Sequence, residues 1–222
     1  MSIDRPPNII YVVAHDLGQE LGCYGRSLQT PSLDRFAAES IRFTRCFTSS
    51  PACAPSRACA YTGLPAHLHG TLGVTPSGCY LPRQVMTIVD HFNLNGYETV
   101  HAGVHHERQY AAENRYQREL FRDQQSKHAE TAVDDAIGFL SNRDRGGRPF
   151  YLNLGTVEVH CSQWQDLIGV GRERYGITDA DDDYYPDGFP EDPQLRREAR
   201  RFHACIRYLD LHLGRLFDAI DR

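Results

Sequence analysis

The 222 residues, 41% hydrophobic and 24% charged, suffice for one sizeable core, which excludes intrinsic disorder, a collagen-like repeat or a coiled coil as the overall architecture. Lys and Arg number 24 against 29 Asp and Glu, a formal charge of −5; this is the wrong sign for a general nucleic-acid binder, although it leaves room for a local basic pocket. No run approaches the roughly 18 apolar residues of a membrane span, and the seven cysteines at 23, 46, 53, 59, 79, 161 and 205 form no paired zinc-holding motif, so the expectation is a cytoplasmic protein, off the membrane, whose thiols are mostly small buried hydrophobes.

Residues 8–14 form a short apolar run that reads as a strand buried on both faces rather than as an edge strand. It stops at His15-Asp16-Leu17-Gly18, and in open α/β sheets ligands are held at the ends of central strands. Thr30-Pro31 reads as an N-cap followed by proline at N1, opening a helix with Leu33, Phe36 and Ala37 on one face. Ile41-Arg42-Phe43 suggests a second short strand. Within the Cys-, Ser-, Gly- and Pro-dense stretch 44–83, a helix is expected from near Ser56 to near Gly63.

Val85, Ile88, Val89 and Phe92 recur at helical spacing, and Asn95-Gly96 ends that helix. Residues 97–102 form the next strand, running into Gly103 and the pair His105-His106. Residues 107–128 are polar and carry no assignment. A helix marked by Ala129, Val133, Ala136, Ile137 and Leu140 follows, then a strand at 150–155 that points toward Glu158 and His160. Residues 161–193, with four Asp inside 179–183, read as a surface insertion, and Leu195, Ala199, Phe202, Ile206, Leu209, Leu213, Leu216 and Ile220 mark a long amphipathic helix.

Three strands thus end at polar groups: His15 and Asp16, His105 and His106, Glu158 and His160. In a parallel sheet with crossover helices, the strands' C-terminal ends share one edge, so these groups can meet in a single crevice; the plain alternative is scattered surface histidines. Between them lies Cys53-Ala54-Pro55-Ser56-Arg57, with Thr62-Gly63 following. Cys53 stands just ahead of the expected helix, where the backbone dipoles and Arg57 favour negative charge. On physical grounds this fits a reactive thiolate, a seat for a phosphate-type anion, or merely a capped helix.

The chain resembles the sulfatase family of the alkaline-phosphatase-like superfamily. The likeness rests on the full Cys-x-Pro-Ser-Arg match at 53–57 with Thr62-Gly63, on Arg5-Pro6 with Asn8-Ile9, Asp16-Leu17-Gly18, Gly22-Cys23-Tyr24-Gly25 and Thr30-Pro31-Ser32-Leu33-Asp34-Arg35. It implies an α/β fold, a mostly parallel sheet sandwiched by helices, with residues 1–222 as the N-terminal portion of the catalytic domain. It further implies that a separate formylglycine-generating enzyme oxidises Cys53 to formylglycine, with Arg57 beside it. His106 and His160 match the family's active-site histidines. Asp16, together with residue 53 and His15, matches the divalent-metal position, calcium in most of the family.

The likeness also has gaps. His15 stands where a second aspartate is usual, and since calcium prefers oxygen donors this leaves a transition metal or a lower coordination number open. Val104 takes the place of the sulfate-binding lysine. The implied activity is hydrolysis of sulfate esters or sulfamates, and Thr62-Gly63-Leu64-Pro65-Ala66-His67 is similar to N-sulfoglucosamine sulfohydrolases, pointing to a sulfated saccharide. Alternatives are a phosphonate or phosphate ester hydrolase of the same superfamily, and a catalytically incomplete structural or binding chain. An open sheet edge would favour a homo-oligomer.

Overall fold

The computed structural model describes residues 6–109, 111–120, 127–144, 146–160 and 190–221, so the insertion expected at 161–193 lies almost wholly outside the described residues. The β-branched and aliphatic runs become β1 (Ile9–Val13), β2 (Glu98–Gly103) and β4 (Phe150–Gly155), with a two-residue β3 (Arg118–Glu119). All pairings are parallel, in the order β1-β4-β2-β3. The registers Val13 to Gly155 and Gly103 to Gly155 bring the three long strands to an end on one row. The polar segments after them therefore leave the sheet at the same level.

Helices α1 (Pro31–Ala38), α2 (Cys53–Thr62), α3 (Ala66–His69), α4 (Ile88–Leu94), α5 (Ala129–Asn142) and α6 (Pro193–Ile220), with short 3-10 turns at Gly22–Tyr24, Thr75–Ser77 and Ala111–Asn114, complete the described elements. No described helix is long and apolar enough to cross a membrane. α5 packs on β2, β4 and α6, and α1 packs on α6. Their apolar stripes meet one side of the sheet, where Ile10, Val12, Val100, Ala102, Leu152 and Leu154 join Val133, Ala136, Ile206, Leu209 and Leu216 in one core. Each large aliphatic side chain fully buried there contributes about 1.5–3 kcal/mol. Helices α2 and α4 lie on the other side, where Val89, Tyr97 and Tyr151 form a smaller, aromatic cluster with Phe92 and Tyr116.

Several expectations shift. β1 is an edge strand of the described sheet, half-buried rather than covered on both faces. Ile41-Arg42-Phe43 is not a strand but exposed coil, with the Ile41 and Phe43 side chains left in solvent. α4 starts at Ile88, with Val85 outside it, because Thr87 and Asp90 close a capping box there.

Thr30 does precede α1, yet its hydroxyl donates to Asp34 Oδ1 at 3.0 Å and accepts from the Gly22 amide at 3.0 Å. The open amides of Ser32 and Leu33 instead donate to Asp210 of α6, at 3.2 and 2.8 Å. A carboxylate 178 residues away thus caps α1. Burial raises the pKa of Asp210, opposed by these two amide bonds. Gly214, one turn along α6, gives the Ser32 side chain its room, since a Cβ there would collide with it.

Candidate active site

Cys53 is the first residue of α2, three positions ahead of the start expected near Ser56, following extended Ala52. No side chain caps this end, although the Ser56 amide bonds the Ala52 carbonyl at 3.0 Å. The amides of Cys53 and Ala54 head the helix, so its partial positive charge falls on the thiol's surroundings. At the other end Gly63 takes the left-handed conformation, φ 69°, and donates to Cys59 O at 2.9 Å. Thr62 Oγ1 donates to Ala58 O at 2.7 Å and accepts from the Leu64 amide at 3.1 Å. The spacing from cysteine to Thr-Gly is therefore the length of this helix and its stop.

The strand ends converge. His15, 2% exposed, donates its amide to Glu158 O at 2.8 Å and its carbonyl accepts from the Val159 amide at 2.7 Å, tying the segment after β1 to the one after β4. Asp16 is left-handed, φ 54°, a region that Asp tolerates better than most side chains. Its half-exposed carboxylate lies with Oδ1 3.1 Å from His15 Nδ1. On the far side His15 Nε2 is 3.3 Å from His106 Nδ1, and the His160 ring stands edge-on to His15 at 4.8 Å between centroids.

Burial lowers the pKa of His15. It also presses His106 down to about 4, helped by the charges of Arg57 and the neighbouring histidines. The two imidazoles are therefore neutral near pH 7 in this state. Each keeps a lone pair for a proton or a metal.

Arg57, on α2, is 6% exposed, with Nη1 3.9 Å from Glu107 Oε1. That is an ion pair without a hydrogen bond, and both Nη atoms are buried with no hydrogen-bond partner among the described residues. A buried guanidinium left so is a seat waiting for acceptor oxygens. Glu107 Oε2 also accepts from the His106 amide at 3.2 Å, so one carboxylate touches both the cation and the histidine loop. Glu107 belongs to no motif in the sequence; its place beside His106 at a strand end is its one signal there.

Two expectations resolve by environment. Glu158 is fully buried and serves α5, with Oε2 accepting from the Ala129 amide at 2.9 Å and Oε1 3.1 Å from His128 Nδ1. Of the pair at 105 and 106, His106 joins the cluster, whereas the His105 ring lies against His101. Val104 is buried, so no charge stands where the resemblance places a lysine.

Among the described residues two triads hold donor atoms within 4.8 Å of one another, His15-Cys53-His106 and His15-Asp16-His160. They offer a single carboxylate, too few oxygens for calcium, which takes six to eight. Imidazole donors suit a transition metal.

A sulfatase family model matches residues 7–222. Human (Homo sapiens) N-sulphoglucosamine sulphohydrolase is 30% identical over 195 residues, 84% of this chain and 38% of that protein. A structure solved in complex with its substrate D-glucosamine-2-N,6-O-disulfate superposes with a TM-score of 0.74 at 19% identity, covering 98% of this chain and 62% of the other. The phosphonate monoester hydrolase of Agrobacterium radiobacter gives a TM-score of 0.65 at 14% identity, covering 97% and 59%. The alignments span 18%, 22% and 38% of three curated relatives, well under half their length. The fold is alkaline-phosphatase-like, a parallel sheet between helices, and members of the matched family generally use formylglycine and a divalent metal. With a family model matching residues 7–222, nearly the whole chain, the chain belongs to the sulfatase family.

Proposed function

We propose that the protein hydrolyses sulfate esters or sulfamates, with a sulfated saccharide as substrate. One observation carries this reading: the buried Arg57 guanidinium, with both Nη atoms unbonded, at the head of the helix that begins with Cys53. Its donors match the oxygens of a tetrahedral anion, and the α2 amides add to the same field. The saccharide is supported by the relative that acts as an N-sulphoglucosamine sulphohydrolase and by the fold neighbour solved with a disulfated glucosamine.

Formylglycine, once made from Cys53 by the formylglycine-generating enzyme, supplies a hydroxyl nucleophile when hydrated. Arg57 neutralises the sulfate oxygens as charge shifts in the transition state. His106, neutral and next to residue 53, holds the lone pair that takes a proton, and His160 lies on the other side of His15 to serve the leaving group. Asp16 belongs to the divalent-metal position, where so few described oxygen donors make calcium a poor match. With Val104 uncharged and Glu107 offsetting Arg57, the described side chains suit a singly charged sulfate ester better than a doubly charged phosphate monoester.

Two measurements test this. Peptide mass spectrometry after co-expression with the modifying enzyme should show residue 53 as the aldehyde. Side-by-side kcat/KM values should favour sulfate over phosphate monoesters; faster phosphate turnover would select the phosphoesterase reading.

A further inference from the structure

We infer that, while Cys53 remains a thiol, His15, His106 and Cys53 form a three-ligand site for a zinc-class divalent cation. A ring nitrogen from each histidine and the Cys53 sulfur lie within 4.8 Å of one another. The 3.3 Å between His15 Nε2 and His106 Nδ1 is the edge expected when two nitrogens bind one tetrahedral ion at about 2.0–2.1 Å.

Asp16 Oδ1 lies 3.1 Å from His15 Nδ1, and His15 Nε2 faces His106 Nδ1 on the other side of the ring. Two such nitrogens turned on each other need a proton or a cation between them. A carboxylate behind a liganding imidazole is the usual way to orient it. On the sulfur side, Cys53 is the first residue of α2 and Arg57 is on the next turn. Glu107, 3.9 Å from Arg57, offsets the guanidinium, so a bound cation does not face an uncompensated one. Two imidazoles and a thiolate select zinc or cobalt over calcium or magnesium.

The site requires the sulfur, so it belongs to the unconverted chain and stands apart from the sulfatase reading: conversion of Cys53 abolishes it whatever the enzyme's substrate. Bound metal would also shield Cys53.

The test is a Co2+ titration of the protein purified with Cys53 verified as a thiol by intact mass. Expected are a saturable sulfur-to-cobalt charge-transfer band in the near ultraviolet and strong visible bands of four-coordinate cobalt, displaced by Zn2+ but not by Ca2+. Cys53→Ser should remove the charge-transfer band. His15→Ala and His106→Ala should each weaken cobalt binding at least about tenfold, and Asp16→Asn about tenfold. His160→Ala and Cys59→Ser should leave the band in place. Independently of any variant's folding, Zn2+ should slow alkylation of Cys53 in the unmutated protein at least about tenfold, with exposed Cys46 reacting unchanged. A band that survives Cys53→Ser, binding that depends on His160 instead of His106, displacement by calcium, or no protection of Cys53 by zinc would each overturn the inference.

Discussion

The two sides of the sheet are chemically unlike. Facing α5 and α6, the strands present the aliphatic rows Ile10-Leu152-Val100 and Val12-Leu154-Ala102. Facing α2 and α4, the row between them runs Tyr11-Asn153-His101-Glu119. There Asn153 Nδ2 donates to Tyr61 OH at 2.9 Å and Tyr116 OH at 2.7 Å, and His101 pairs with Glu119. The aliphatic side stores stability in burial that has no direction. The polar side spends hydrogen bonds on orientation, and it is the side from which α2 delivers Cys53 and Arg57.

If that division is real, the largest stability loss belongs on the α6 side. Leu209→Ala, at a fully buried position, should lower the unfolding free energy by about 3 kcal/mol in urea denaturation while leaving Cys53 alkylation kinetics unchanged. An equal disturbance of Cys53 would show the two sides to be one cooperative unit. Next comes the link between α1 and α6. Asp210→Ala should cost about 2 kcal/mol, and Asp210→Asn less, since the amide oxygen still accepts one bond.

A third probe uses pH. Burial, with Arg215 adding, holds the pKa of His212 down to about 4 from 6.5, against Glu130 and Asp134. The unfolded chain therefore binds its proton first. Stability should be full above pH 6.5 and fall as the pH drops toward 4, by about 1.5 kcal/mol between pH 7 and pH 5 after allowing for solvent screening. His212→Gln should remove that share of the slope, and an unchanged slope would sink the assignment. Smallest is the polar side itself. Tyr61→Phe takes away one acceptor of Asn153 and should cost about 1 kcal/mol.

Much of this was legible in the residues, and the reasons differ by element. The three long strands and α6 announce themselves by unbroken apolar runs and by periodicity, because burial leaves its mark in composition. The convergence of His15, His106 and His160 follows from parallel pairing alone, and the register confirms it. What stayed hidden depends on partners far along the chain. Nothing near Thr30 announces that Asp210 caps α1, nothing near Glu158 that it serves the α5 N-terminus, and β1 reads as central because its apolar run also meets α1 and α6. Glu107 was hidden for another reason: a lone acidic residue in a polar stretch is ordinary until its carboxylate is found beside a buried arginine.

The long-range cap on α1 has a consequence for synthesis. β1 leaves the ribosome about 140 residues before the strand it pairs with, and α1 is made well before the carboxylate that closes its first turn. At about 5–20 residues per second, that interval lasts on the order of ten seconds. For about the last hundred residues of that interval Cys53 is already outside the tunnel, while His15 has no β4 segment to hold it. The thiol thus spends a timed period exposed before the folded pocket closes around it, and the length of that period is written in the order of the strands.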